Sequence, residues 1–115
     1  MRGNSEDQLP DLREGFCTSY HRGVELIGRR WNGVILRELL LGARRFSEIR
    51  RGIPALTDRM LASRLRELEA EGIVTRVVYD ETPVRVEYEL TEMGRDLEQA
   101  VAALNRWASR WLPED

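Results

Sequence analysis

The sequence predicts a mainly α-helical chain with one small β-hairpin, an α+β class of fold. Two observations predict it: apolar residues recur at helical spacing through most of the chain, and a period of two is confined to one short region. The chain has 115 residues, a length typical of one domain, which we place at 14–115. Segment 1–13 is polar and lacks the apolar stretch of a signal peptide, so we interpret it as a flexible tail.

Two helices are predicted in the first third of the domain. In 16–27, apolar residues recur at i, i+4, i+8 and i+11, and Gly28 ends the helix. The second helix, 31–41, is strongly apolar and is expected in the core, with Gly42 as its stop.

The middle of the chain has the pattern of a helix, a tight turn and a second helix. A short helix is predicted at 46–51 with Ser47 as its cap, and Pro54 cannot continue it. Thr57 caps a longer helix that extends to Glu71. The buried stripe of this helix is Leu61, Leu65 and Leu68. Such a pair is a helix-turn-helix, a pattern that many αα units share when it is taken alone.

A β-hairpin is predicted immediately after this pair. Segment 73–79 is rich in β-branched residues, 80–83 is a loop, and 84–90 alternates apolar with charged residues as a half-buried strand does. A hairpin in this position is a wing, so the predicted architecture is a winged helix-turn-helix.

The last predicted helix begins after its cap, Thr91, and carries a narrow apolar seam. The seam residues are spaced alternately by four and three, which is a heptad repeat. The seam can pack on its own domain, but its length, its terminal position and its two tryptophans favour dimerisation. The predicted dimer interface is Met93, Leu97, Ala100, Leu104, Trp107 and Trp111.

Charge is distributed unevenly along the chain. The net charge is −2, yet 44–66 holds seven arginines against two acidic residues. A basic patch on an acidic body favours a polyanion such as nucleic acid, although a solvated charged face is the simpler alternative.

Other classes of protein are disfavoured by composition. A single histidine and a single cysteine leave few nucleophile–base pairs, and neither a glycine-rich phosphate loop nor a Cys/His metal spacing is present. We therefore expect no enzyme, no metal and no cofactor. No apolar run approaches the roughly 18 residues that span a bilayer, so we expect no membrane partner and a cytoplasmic location.

Six runs, in one order over about 17–112, carry a family resemblance: Gly28–Trp31, Ile35–Leu39, Gly42–Ile49, Leu61–Leu68, Pro83–Tyr88 and Leu90–Gly94. They resemble the HxlR-type regulators of the MarR-like winged-helix group. The resemblance implies a homodimeric bacterial DNA-binding repressor or activator, with dimerisation helices at both ends, that responds to reactive small molecules. Because such a dimer has two-fold symmetry, we expect it to bind a pseudo-palindromic operator.

The exposed face of the second helix in the pair is expected to contact double-stranded DNA. Arg59 and Ser63 lie in its first two turns, which reach base edges in a major groove. Arg64 lies on the shoulder and is interpreted as a phosphate contact or as an ion-pair partner of Glu67 or Glu71. The predicted DNA-binding set is Ser47, Arg50, Arg51, Thr57, Arg59, Ser63, Arg64, Arg66 and Arg85.

Three of these residues have particular expected roles. Arg50 and Arg51 are interpreted as phosphate clamps or as partners of the helix dipole. Arg85 lies in the wing and is expected to enter a minor groove, while acidic residues at the wing tip repel phosphate. The alternative function is a winged-helix protein-interaction module without sequence-specific DNA binding.

Cys17 is a candidate redox sensor because members of the resembled family commonly carry a cysteine shortly before the first helix. Here Thr18 follows it, where the family often has proline. His21, one helical turn onward, would favour the reactive thiolate. The other interpretation of Cys17 is a small apolar residue packed under the first helix.

Overall fold

The computed structural model describes residues 16–114, with side chains from residue 18 onward. The predicted flexible tail at 1–13 and the side chain of Cys17 therefore lie outside the described residues. A π-helical segment, Phe16–Tyr20, precedes the first α-helix, whereas the sequence predicted a regular helix over both. The elements are α1 His21–Gly28, α2 Asn32–Leu40, α3 Phe46–Arg51, α4 Asp58–Ala70, β1 Val74–Tyr79, β2 Arg85–Leu90, α5 Glu92–Arg95 and α6 Glu98–Trp111.

The core is formed where α2, α3 and α4 meet the base of the hairpin. The turn between α3 and α4 contributes to this core, because Ile53 and Leu56 are both buried. The predicted leucine stripe of α4 is confirmed, since all three leucines are fully buried. The buried apolar residues are Ile35, Leu36, Leu39, Ile49, Ile53, Leu56, Leu61, Leu65, Leu68, Ile73 and Val74.

The helix ends follow local hydrogen bonding, and one predicted cap is wrong. Ser47 lies inside α3 instead of capping it. The carboxylate of Glu48 accepts hydrogen bonds from the backbone N–H groups of Arg44 (2.8 Å) and Arg45 (3.0 Å). These two bonds lower the pKa of Glu48. The Glu48 carboxylate, at the third position of the helix, reaches back to the N–H groups that precede it, so the helix begins at Phe46 and Ser47 lies within its first turn.

The wing is an antiparallel hairpin in which Val74 pairs with Leu90 and Tyr79 pairs with Arg85. The predicted alternation of burial in β2 is absent, since all six of its residues are half-buried. One face of the strand packs on the core through Tyr88 and Leu90. On the other face, ion pairs cover the charged side chains, so neither face is fully solvated.

The single C-terminal helix of the prediction is wrong, because the structure has α5 and α6 separated by a turn. Thr91 caps α5, as predicted, by accepting a hydrogen bond from the Gly94 N–H at 3.1 Å. Its hydroxyl also donates to the Gly72 carbonyl at 2.6 Å, which fastens α5 to the base of the hairpin. Because this hydrogen bond fixes α5 at the base of the hairpin, the chain turns after α5 before it begins α6. Among the described residues, no helix has the length and hydropathy needed to cross a membrane.

Candidate nucleic-acid interface

The helix-turn-helix pair α3–α4 presents the candidate surface. Thr57 is the cap of α4, as predicted, and its hydroxyl accepts a hydrogen bond from the Met60 N–H at 3.1 Å. Ile53 and Leu56 anchor the turn in the core, so α4 has a fixed orientation relative to α3. A rigid support of this kind places side chains accurately on a ligand surface.

Arg59 and Arg66 form the free basic face of α4. Both are exposed, and they lie seven residues apart, which separates them by about 10 Å on the same side of the helix. Neither forms a hydrogen bond or an ion pair with any residue that the structure describes. Ser63 lies between them and is half-buried. This face therefore has two available guanidinium groups, one of which is in the first turn.

Arg64 is a correction to the sequence prediction. Only 8% of its surface is exposed, and its Nε donates to the Arg30 carbonyl at 3.0 Å. Its Nη1 lies 3.5 Å from a carboxylate oxygen of Glu67, so the predicted alternative of an ion pair with Glu67 is found. Because the side chain runs inward from the shoulder of α4, it is not available to a phosphate.

The two arginines at the end of α3 differ in their contacts. Arg50 donates from Nε to Asp58 at 2.8 Å and from Nη1 to the carbonyls of Ile53 (3.4 Å) and Pro54 (3.5 Å). Arg50 therefore binds both the turn and the start of α4. The sequence had predicted a phosphate clamp and did not include these internal contacts. Arg51 is exposed and has no such partner among the described residues. Of the two, Arg51 is the better candidate for a phosphate contact.

The wing arginine is also a correction. The guanidinium of Arg85 pairs with Glu81 at 2.9 Å and with Glu87, and it lies 3.9 Å from the centre of the Tyr79 ring. Hydrogen bonds to Glu81, and then to Glu87, raise the pKa of Arg85, and the same contact lowers the pKa of Glu81. The sequence predicted that Arg85 would be free to enter a minor groove. In the structure, its charge is neutralised by two glutamates of the wing.

The wing is joined directly to the start of the helix-turn-helix. The Tyr88 N–H donates to the Arg44 carbonyl at 2.7 Å, and the Arg44 side chain lies 3.3 Å from Glu89. These contacts hold the hairpin beside α3, so the wing and α4 form one rigid surface. The acidic tip of the wing and the basic face of α4 therefore have fixed positions relative to each other.

One cluster was not found by sequence reasoning. We call Arg29–Trp31, the connection between α1 and α2, the elbow. Arg29 forms a two-bond fork with Glu67 of α4, at 2.7 and 3.1 Å, and this contact lowers the pKa of Glu67. Because 38 residues separate the partners, no local pattern could have indicated the pair.

The predicted dimer seam is largely exposed in the single chain. Met93, Leu104, Trp107 and Trp111 are 52–61% exposed, and α6 has no buried residue. Leu97 is the exception, because it packs against the core together with Val101, which the prediction omitted. The tryptophan pair and Leu104 leave an unusually apolar surface for a helix in water.

Comparisons with known proteins agree with this architecture. The HxlR-like helix-turn-helix family matches residues 26–115. The chain is 43% identical over 96 residues to YvaP of Bacillus subtilis, an uncharacterized HTH-type transcriptional regulator. The alignment covers 84% of this chain and 89% of YvaP.

Two solved structures have the same fold. The reduced form of the regulator YodB from B. subtilis superimposes with a TM-score of 0.76 at 42% identity, over 87% of this chain and 99% of that one. The redox regulator HypR in its oxidised form gives a TM-score of 0.75 at 44% identity, over 79% and 94%. The chain therefore belongs to the HxlR-like helix-turn-helix family, and it is a transcriptional regulator of the winged-helix, MarR-like type.

Proposed function

We propose that this regulator binds a pseudo-palindromic operator as a homodimer, with α4 in the major groove, and that it acts as a repressor. The observation that carries the proposal is the pair Arg59 and Arg66, which have no partner among the described residues and lie on one face of a helix that the core holds in place. Arginine is well suited to this role because it bridges O6 and N7 of guanine with two hydrogen bonds.

Support for the homodimer comes from the apolar surface at the two ends of the described chain. Leu104, Trp107 and Trp111 are exposed on α6, and Tyr20 and Val24 are exposed near the start of the described region. Aromatic residues are enriched at the centres of protein interfaces, and a two-fold axis would allow each surface to meet its copy. Two recognition helices would then enter major grooves about 34 Å apart.

The test is selection from a random DNA library, followed by binding across a salt series. We expect paired half-sites related by two-fold symmetry, and a log–log salt slope that reports several phosphate contacts. A reporter gene behind the selected site should be silenced when the protein is expressed. Recovery of no enriched sequence, with no salt-dependent binding to genomic DNA, would favour a protein-interaction module instead.

We also propose that Cys17 makes the regulator responsive to oxidants or electrophiles. The support is that HypR is a redox regulator and that YodB was solved in a reduced form. Because the chain has one cysteine, oxidation must give an intersubunit disulfide, a mixed disulfide with a small thiol, or a sulfur oxy-acid. A small-molecule effector that binds elsewhere is the alternative.

Diamide treatment tests the sensor proposal. Wild type should lose operator binding after treatment and regain it with dithiothreitol, whereas Cys17→Ser should bind before and after alike. Mass spectrometry of the intact protein would identify the thiol product. If complete modification of the thiol left operator binding unchanged, Cys17 would have no sensing role.

A further inference from the structure

Helix α1 packs against the core near its C-terminal end. None of its residues is buried, and the two that pack against the core among the described residues, Leu26 and Ile27, lie in its last turn. The direction in which α1 points is therefore set where it joins α2, at the elbow.

The backbone of the elbow has a specific shape. Trp31 has φ +78°, in the left-handed region that non-glycine residues rarely adopt, and its half-buried ring packs against the core. Asn32 is completely buried, and its Nδ2 donates to the Leu26 carbonyl at 2.8 Å, which closes the connection. Such a conformation persists only where the surroundings hold it.

The surroundings that hold the elbow belong to α4. Arg29 makes its two-bond fork with Glu67, and the buried Arg64 donates to the Arg30 carbonyl at 3.0 Å. Arg64 leaves α4 about 140° around the helix from Arg59, and Glu67 about 80° from it. Helix α4 therefore contacts the elbow directly, through residues that are not part of its buried leucine stripe.

We propose that Arg29, Arg64 and Glu67 are positioning residues that set the angle between α1 and α4, and thereby the half-site spacing that the dimer accepts. The inference rests on the proposed function, in which α1 contributes to the dimer surface and α4 reads DNA. In that arrangement the elbow lies between the two-fold axis and the recognition helix.

The geometry makes the spacing sensitive to this angle. For half-sites about 34 Å apart, each recognition helix lies roughly 17 Å from the axis. If a change at the elbow let the rest of each protomer rotate by about 10° about α1 near the two-fold axis, each recognition helix would move by about 3 Å, which is close to the 3.4 Å rise of one base pair. A small change at the elbow is thus comparable with a one-base-pair change in spacing.

The experiment compares the operators that five proteins select from a library with half-site spacers of varied length. The proteins are wild type, Arg29→Met, Glu67→Gln, the double variant of these two, and Arg37→Met. Arg37 is the matched control because it is similarly exposed and pairs with Glu38 within α2, away from the elbow. Urea unfolding of each variant would show that it is folded.

We expect Arg29→Met and Glu67→Gln to broaden or shift the preferred spacer by about one base pair, and Arg37→Met to keep the wild-type spacer. Affinity for the wild-type spacing should fall by about two- to five-fold, the effect of losing one exposed ion pair. The double variant should differ little from either single one, since both remove the same contact. A stability defect alone would lower the amount of active protein without changing the preferred spacing.

Two results would overturn the inference. One is an unchanged spacer preference in the elbow variants while wild type selects paired half-sites. The other is the same change in Arg37→Met. If wild type itself selected no paired half-sites, the proposed function would fail, and the inference would fail with it.

Discussion

Arg59 and Arg64 show how two arginines of one helix come to have different roles. Arg59 projects into solvent in the first turn of α4, whereas Arg64, five positions on, is buried against the elbow. Five residues turn the helix through about 500°, so the two side chains leave it in directions about 140° apart. The chemistry of the side chain is the same, and only its direction decides whether it is available to DNA.

Arg59→Ala should lower affinity for the selected operator by about 1–3 kcal/mol and relax the preference at one base position in each half-site. The reason is the loss of a bidentate contact to a base edge. Arg51→Ala is the control, because a phosphate contact carries no sequence information and its loss should weaken all DNA alike. Titrations with operator and scrambled DNA would measure both effects, and an equal loss on both DNAs for Arg59→Ala would contradict a base-reading role.

At the scale of the element, the wing is a hairpin in which the charge of Arg85 is satisfied internally. Glu81 in the loop and Glu87 on the same strand hold Arg85, and Tyr79, which pairs with it across the hairpin, covers its guanidinium. The tip therefore presents acidic residues to any approaching polyanion. We therefore expect the wing in this state to limit DNA affinity more than it contributes to it.

Glu81→Gln should tighten binding to all DNA sequences and make the salt dependence steeper. The change removes a negative charge and loosens one of the two carboxylates that hold Arg85. Asp80→Asn is the matched control, because Asp80 is at the same tip and has no ion-pair partner among the described residues. A salt series should give a larger increase for Glu81→Gln than for Asp80→Asn. Equal increases would mean that Arg85 stays in the wing when DNA binds.

The short helix α5 depends on close contact with the base of the wing. A Cβ on Gly94 would lie 2.4 Å from the Ile73 carbonyl oxygen and 2.9 Å from Leu90. The first of these is a backbone atom, so relief would require the strand or the helix to move. Glycine is needed here for the close approach, and not for a special backbone angle.

Gly94→Ala should destabilise the fold by about 1–3 kcal/mol through overpacking. Gly33→Ala is the control, since its added methyl group would meet only one atom, at 3.9 Å, in the first turn of α2. That substitution should be neutral or stabilise by up to about 1 kcal/mol, because alanine loses less backbone entropy in a helix. Urea unfolding would measure both, and a neutral Gly94→Ala would show that α5 can shift freely.

At the scale of the whole molecule, α6 divides its residues between two surfaces. Leu97 and Val101 pack on the core, whereas Trp107 and Trp111 project from the far end of the helix and are more than half exposed. Truncation before Leu97 would therefore damage the domain as well as any interface. Point substitutions at the exposed end test the interface without removing a core contact.

Replacement of both Trp107 and Trp111 by glutamate should raise the dimer dissociation constant by more than about tenfold, because buried tryptophans dominate interface energies. Leu41→Glu is the control, since Leu41 is 75% exposed but lies outside α6. Sedimentation would give the oligomeric state, and circular dichroism would show that each variant is folded. A tryptophan double variant that stayed dimeric would exclude this end of α6 from the interface.

Local sequence patterns were sufficient to predict the order of the elements and the two caps, Thr57 and Thr91. The leucine stripe of α4, the hairpin after it and the terminal glycines depend on spacing and backbone preference within a few residues, which a sequence displays directly. The family resemblance rests on the same short-range patterns. For this reason the winged helix-turn-helix and its recognition helix could be predicted from the sequence.

Only the tertiary structure decided which charges are free. Arg50, Arg64 and Arg85 each belong to the basic set that composition indicates, yet each is held by a carboxylate or a carbonyl that folding brings close. The break between α5 and α6 has a similar origin, because Thr91 and Gly94 pack on a carbonyl about twenty residues earlier in the chain. Sequence spacing predicts the face on which a side chain leaves its element, whereas the partner that it meets there depends on the turn, hairpin or distant segment that folding places beside it.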